Sequence, residues 1–133
     1  MKITNTGLAK WQSKLLNESI EIAEKFICDK YKLDKSMLDL VSLRCSNTCR
    51  SAVYYHGYGE IRLDLKTIDV RLYKKKTLGE YQTHIRSVGS KISWTCQLIH
   101  ELTHFIQDLE GYCYSEVETT KNELEYLNSI GIN

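Results

Sequence analysis

The spacing of apolar and polar positions changes several times along the chain. Over residues 7–31, Leu8, Trp11, Leu15, Ala23 and Phe26 recur near helical spacing, which predicts one amphipathic helix. A short helical piece is expected around 36–40. The period then drops toward two. "VSLRC" and "RSAVYYH" flank the polar "SNT" and read as a β-hairpin. In "EIRLDL", Ile61, Leu63 and Leu65 alternate with Glu60, Arg62 and Asp64, the pattern of a half-buried strand. "TIDVRLY" alternates again, as a further strand or as a continuation past a bend. Residues 74–90 keep no clear period.

Helical spacing returns from about residue 90 or 93. Ile92, Cys96, Ile99, Leu102, Ile106 and Leu109 sit at threes and fours, and Gly111 is a fitting stop. A last helix opens at "SEVE", where Ser115 and Glu118 have capping-box spacing, and runs to about 128. On this last helix Val117, Leu124 and Leu127 mark the expected buried side. A helix, several strands and then two helices make an α+β domain, residues 1–133, with a small mostly antiparallel sheet.

Composition narrows the functional classes. The hydrophobic fraction of 42% and the charged fraction of 26% are those of a globular protein. A net charge of +1 gives no electrostatic case for nucleic acid or for an acidic membrane surface. The lysines at 74–76 read as a solvated loop. No apolar run has the length of a membrane span and the N-terminus lacks a signal-peptide core, so a cytoplasmic chain is expected. Five cysteines without a secreted-scaffold pattern read as thiols, and Cys45 and Cys49 have no second pair to complete a metal knuckle. Oligomeric state is not legible at this level.

The chemistry concentrates in "HELTH", residues 100–104. His100 and His104 are one helical turn apart, so both imidazoles leave the same face and can reach one Zn²⁺ at about 2.0–2.1 Å. Glu101 lies about 100° round the helix from His100, placed to take a proton from a zinc-bound water and deliver it to a leaving amine. A metal site needs more than two protein ligands, and no histidine follows His104. The acidic last helix offers Glu116, Glu118, Glu123 and Glu125. Glu118 and Glu125 point away from the expected buried side, which leaves Glu116 and Glu123.

"HELTH" followed by an acidic helix resembles the gluzincin branch of the zincin metallopeptidases, in which a downstream helical glutamate is the third ligand. Thermolysin-like members place it in an Asn-Glu pair, and Asn122-Glu123 is similar. Minimal zincin-like domains of phage and antitoxin-associated proteins carry Glu-x-Glu-Ala-Asp/Asn, which "EVETT" at 116–120 resembles. The second resemblance favours Glu116. The small Thr119 would let the two helices approach, and residues 111–115 can span about 16 Å back toward the metal. Against it, a simple antiparallel hairpin would bring Glu123 level with the histidines. The resemblance covers about 94–127 and implies a sheet before the active helix, with an edge strand, "EIRLDL" or "TIDVRLY", that pairs with an extended protein or peptide substrate.

The expected function is therefore zinc-dependent peptide-bond hydrolysis. Metal ligands are His100, His104 and Glu116, and Glu101 is the general base. Tyr112, Tyr114, His56 and His84 are candidate oxyanion donors, with the two tyrosines favoured because they lie between the ligand-bearing helices. The competing class is a non-catalytic, protein-binding module with structural zinc. Such a module has no need of a general base at 101.

Overall fold

The computed structural model describes residues 1–46, 52–65, 90–111 and 114–131. The elements run β1 (Lys2–Thr6), α1 (Lys10–Tyr31), a 3₁₀ helix (Lys35–Leu40), β2 (Ser42–Ser46), β3 (Val53–Tyr55), β4 (Glu60–Asp64), α2 (Ser90–Glu110) and α3 (Glu116–Ser129). The α+β class holds. The strand "TIDVRLY", residues 74–89, His84, Tyr112, Cys49 and Cys113 lie outside the described residues.

The sheet differs from the expectation of a mostly antiparallel one. Its order is β1-β2-β4-β3, with β1, β2 and β4 mutually parallel and only β3 antiparallel to β4. Parallel neighbours need a long crossover, and α1 supplies it between β1 and β2. The expected hairpin between "VSLRC" and "RSAVYYH" is replaced by β3–β4, with β4 inserted beside β2. Register explains the choice. Pairing β2 with β4 sets Leu43 opposite Ile61 and Cys45 opposite Leu63, all fully buried. In β3 only Tyr54 is buried, so β3 has little to offer a central position. "EIRLDL" is thus an inner strand, and β3 is an edge among the described residues.

Strand β1 was not expected. "KITNT" has one apolar residue, Ile3, which is 40% exposed, and the backbone ladder to β2 defines the strand. The turn between β3 and β4 ends at Gly59, at φ 61, where a Cβ would meet the Leu40 carbonyl oxygen at 2.8 Å. That close approach lets Gly59 accept a 2.8 Å hydrogen bond from Ser42 N–H at the start of β2.

Helix α2 packs against α1, α3, β3 and β4. Leu98, Ile99, Leu102 and Ile106 are buried on it, each burial stabilising by about 1.5–3 kcal/mol. Such packing makes α2 a rigid platform. The most deeply buried residues of α1 are Leu16, Ile20, Ala23 and Ile27. Of the expected stripe, Ala23 is among them, Leu8, Leu15 and Phe26 are partly buried against the core, and Trp11 is 44% exposed.

The expected buried side of α3 holds only at Leu127, which is partly buried against the core. Val117 is 79% and Leu124 56% exposed, whereas Thr119, Asn122 and Tyr126 are buried. The polar seam between α2 and α3 explains the rotation. Asn122 Nδ2 donates to Thr103 Oγ1 at 2.9 Å and to the Tyr31 hydroxyl at 2.7 Å, while Tyr126 meets Phe26 edge-on. Leaving these donors unpaired in the interior would cost about 1–3 kcal/mol each. Among the described residues no helix is long and apolar enough to cross a membrane.

Candidate metal centre

His100 and His104 project from one face of α2 with ring centroids 5.0 Å apart. Gly111, at φ 70, ends that helix, and Ser115 is extended before α3 begins. Glu116, the first residue of α3, therefore arrives beside the two rings. Its Oε2 lies 3.0 Å from His100 Nε2 and its Oε1 3.0 Å from His104 Nε2. One ligand atom from each of the three residues can be chosen so that all lie within 4.8 Å of one another.

Glu123 is also at the site, in a different role. Two turns along α3, its Oε2 sits 3.2 Å from His100 Nδ1, on the far side of the ring from Glu116. The helical hairpin that would make Glu123 level with the histidines is thus real, and it brings Glu123 behind His100. Of the other two acids, Glu118 is not solvated as expected. It accepts from the Tyr31 hydroxyl at 2.5 Å and from Gln107 Nε2 at 3.2 Å. Glu125 is exposed and pairs with Lys30 at 2.6 Å.

These residues fit a divalent cation. A neutral imidazole has one N–H. When His100 gives it to Glu123, 3.2 Å from Nδ1, its Nε2 is bare, and His104 Nδ1 lies 2.9 Å from Gln107 Oε1. Each Nε2 then turns a lone pair toward a carboxylate oxygen, an arrangement that needs positive charge between the atoms. Two imidazole nitrogens and a carboxylate suit Zn²⁺. Without metal, a proton on His100 serves. Burial opposes that proton, but the Glu123 hydrogen bond and the charges of Glu101, Glu123 and Glu116 raise the pKa above 6.5.

Glu101 is buried beside the donor set, at 5% exposure. Desolvation raises its pKa to about 7, His100 opposes the rise, and Glu116 and Glu123 add to it.

Comparison with family models, curated proteins and solved structures gives no match. The chemistry is accordingly argued from the geometry of the site.

Two of the four candidate oxyanion donors are described: Tyr114 flanks His104, and His56 lies beyond it against Tyr114. The Tyr114 ring stacks on His104, with centroids 3.7 Å apart and planes 7° from parallel. Burial, then the charges of Glu101 and Glu116, push its phenol pKa up. His56 meets Tyr114 edge-on at 6.5 Å, and its Nδ1 lies 3.2 Å from Asp108 Oδ1. Asp108 Oδ2 in turn accepts from the Tyr54 hydroxyl at 2.6 Å and from Gly57 N–H at 3.0 Å. Asp108 thereby ties the β3–β4 turn to α2.

Sequence reasoning passed over Gln107, Asp108, Tyr54 and Tyr31. Gln107 and Asp108 are three and four residues beyond His104, so their place on its face was readable. Tyr54 and Tyr31 join through long-range packing and left no local signal.

Proposed function

We propose that the chain is a zinc-dependent peptidase of zincin-like architecture, with His100, His104 and Glu116 as metal ligands and Glu101 as general base and acid. The observation that carries this reading is the Glu116 carboxylate spanning both Nε2 atoms, with a buried Glu101 next to them. Zn²⁺ held there would polarise a peptide carbonyl and lower the pKa of a coordinated water toward about 7.

The chain's own residues supply the rest. Glu101 accepts the proton of the attacking water and passes it to the departing amine. A cation at the donor set would take the place of the charge by which protonated His100 lowers the Glu101 pKa, favouring the anion that a base requires. His56, oriented through Nδ1 by Asp108, and Tyr114 remain the donors for the developing oxyanion. An extended peptide would approach along β3, which neighbours α2 and lies at the edge of the sheet among the described residues. Structural zinc sites are closed, whereas the Glu116 side chain is 62% exposed and leaves the donor set open to one side. That openness favours catalysis over a structural zinc in a binding module.

Elemental analysis of protein purified without chelators, joined to a peptide-library digest, tests the reading. One zinc per chain and cleavage are expected. Glu101→Gln should keep the zinc and lose at least about a hundredfold in turnover, the low end for a general base. Near-normal turnover by a zinc-loaded E101Q protein removes Glu101 from the mechanism. Zinc without any cleavage points to the binding module.

A further inference from the structure

Gln107 is fully buried between α2 and α3 and bonds to three residues. Its Oε1 accepts from Ser115 N–H at 3.1 Å, and its Nε2 donates to the Ser115 carbonyl at 3.0 Å and to Glu118 Oε2 at 3.2 Å. A backbone N–H can only donate and a carbonyl can only accept, so the amide has one orientation. In that orientation Oε1 also faces His104 Nδ1 at 2.9 Å. An oxygen that only accepts obliges His104 to carry its proton on Nδ1, which keeps Nε2 as the bare nitrogen toward Glu116.

The same amide grips both polar groups of the Ser115 backbone, and Ser115 immediately precedes Glu116. Glu118 holds the amide from its other side and is itself held by the Tyr31 hydroxyl, which also accepts from Asn122. We infer that Gln107 is the positioning residue of the centre. It fixes the tautomer of His104 and anchors the turn that delivers Glu116, so that one side chain sets two of the three ligands. The inference rests on the metal-site reading for its functional meaning, while the tautomer lock belongs to the metal-free protein as well.

Two measurements on the full chain test it. Long-range ¹⁵N–¹H correlation on metal-free, ¹⁵N-histidine protein reads the tautomer directly. His104 should be in the Nδ1–H form in the wild type and should lose that preference in Gln107→Met, which keeps the volume without the hydrogen bonds. Competitive chelator titration with zinc should show about a 10- to 100-fold loss of affinity in Q107M, the range for residues that orient metal ligands.

Gln107→Glu should also weaken zinc, because it sets a carboxylate against Glu118. The double variant Q107E/E118Q returns a donor to that contact and should recover part of the affinity, which a purely volumetric role of residue 107 would not produce. Wild-type His104 in the Nε2–H form overturns the inference, and needs no variant to fold. So does zinc affinity of Q107M within about twofold of wild type, well short of that range. A wild type that binds no zinc sinks the metal reading instead, and the tautomer comparison then decides the role of Gln107 alone.

Discussion

Replacing Glu101 by Gln keeps the side chain's shape and removes an ionisable group from a buried position. In the metal-free protein that group is a burden at neutral pH. Burial raises its pKa from 4.5 to about 7, with Glu116 and Glu123 adding to the rise and His100 opposing it. A carboxyl raised in this way favours the fold in its protonated form. Its contribution is fully present below the ordinary carboxylate value and is lost as pH rises through the folded one. At about 1.36 kcal/mol for each tenfold change in proton affinity, the loss amounts to about 3 kcal/mol by pH 8. Glutamine does not titrate and escapes it.

Chelator-treated wild type and E101Q should therefore be compared by urea unfolding from pH 4.5 to pH 8. Every other titrating group is common to both chains, so the difference between them reports residue 101 together with its coupling to His100. E101Q should gain on the wild type as pH rises, by up to about 3 kcal/mol, with the gain levelling above the folded value. A difference that stays flat with pH, or a variant less stable at pH 8, would refute the idea that Glu101 is desolvated at the expense of stability. Excess zinc stabilises both chains, by about 2.7 kcal/mol at a hundred times the Kd of a ligand bound only by the folded chain, and should narrow the gap between them because the nearby cation favours the Glu101 anion.

Further outcomes follow from the same geometry. Glu116→Gln should weaken zinc binding by at least about a hundredfold, whereas Glu123→Gln should cost about tenfold, the low end for a group that orients a ligand, because its amide oxygen can still accept from His100 Nδ1. The reverse order in a chelator titration would make Glu123 the ligand. Tyr54→Phe should destabilise the protein at neutral pH. The Tyr54 hydroxyl is the chief group holding the Asp108 carboxyl below its usual 3.8, against burial, which raises it, and with Gly57 N–H and His56 adding to the lowering. The stabilisation exists above that usual value and disappears as pH falls through the lower folded one. Thermal melts that show the same Y54F deficit at pH 2 as at pH 7 would contradict this.

Local pattern made some of this protein legible in advance. The long helices, the 3₁₀ piece and the alternation of β4 each rest on a period of apolar side chains within one segment, and such periods are written in the residues themselves. The pair His100 and His104, with Glu101 beside it, was equally local, because one turn of helix fixes their relation. Partner choice was not local. β4 displaced β3 from the side of β2 because Leu43, Cys45, Ile61 and Leu63 together bury more than Tyr54 alone could, a comparison between distant segments. The turn of α3 that exposes Val117 and Leu124 was decided by Asn122, whose amide had to meet Thr103 and Tyr31. Glu116 and Glu123 were both visible as acids near the histidines. Their division, one at the Nε2 atoms and one behind His100, was set by how α3 docks on α2. Hydrogen-bond geometry is a property of packed elements, and one strand of text cannot show which faces will meet.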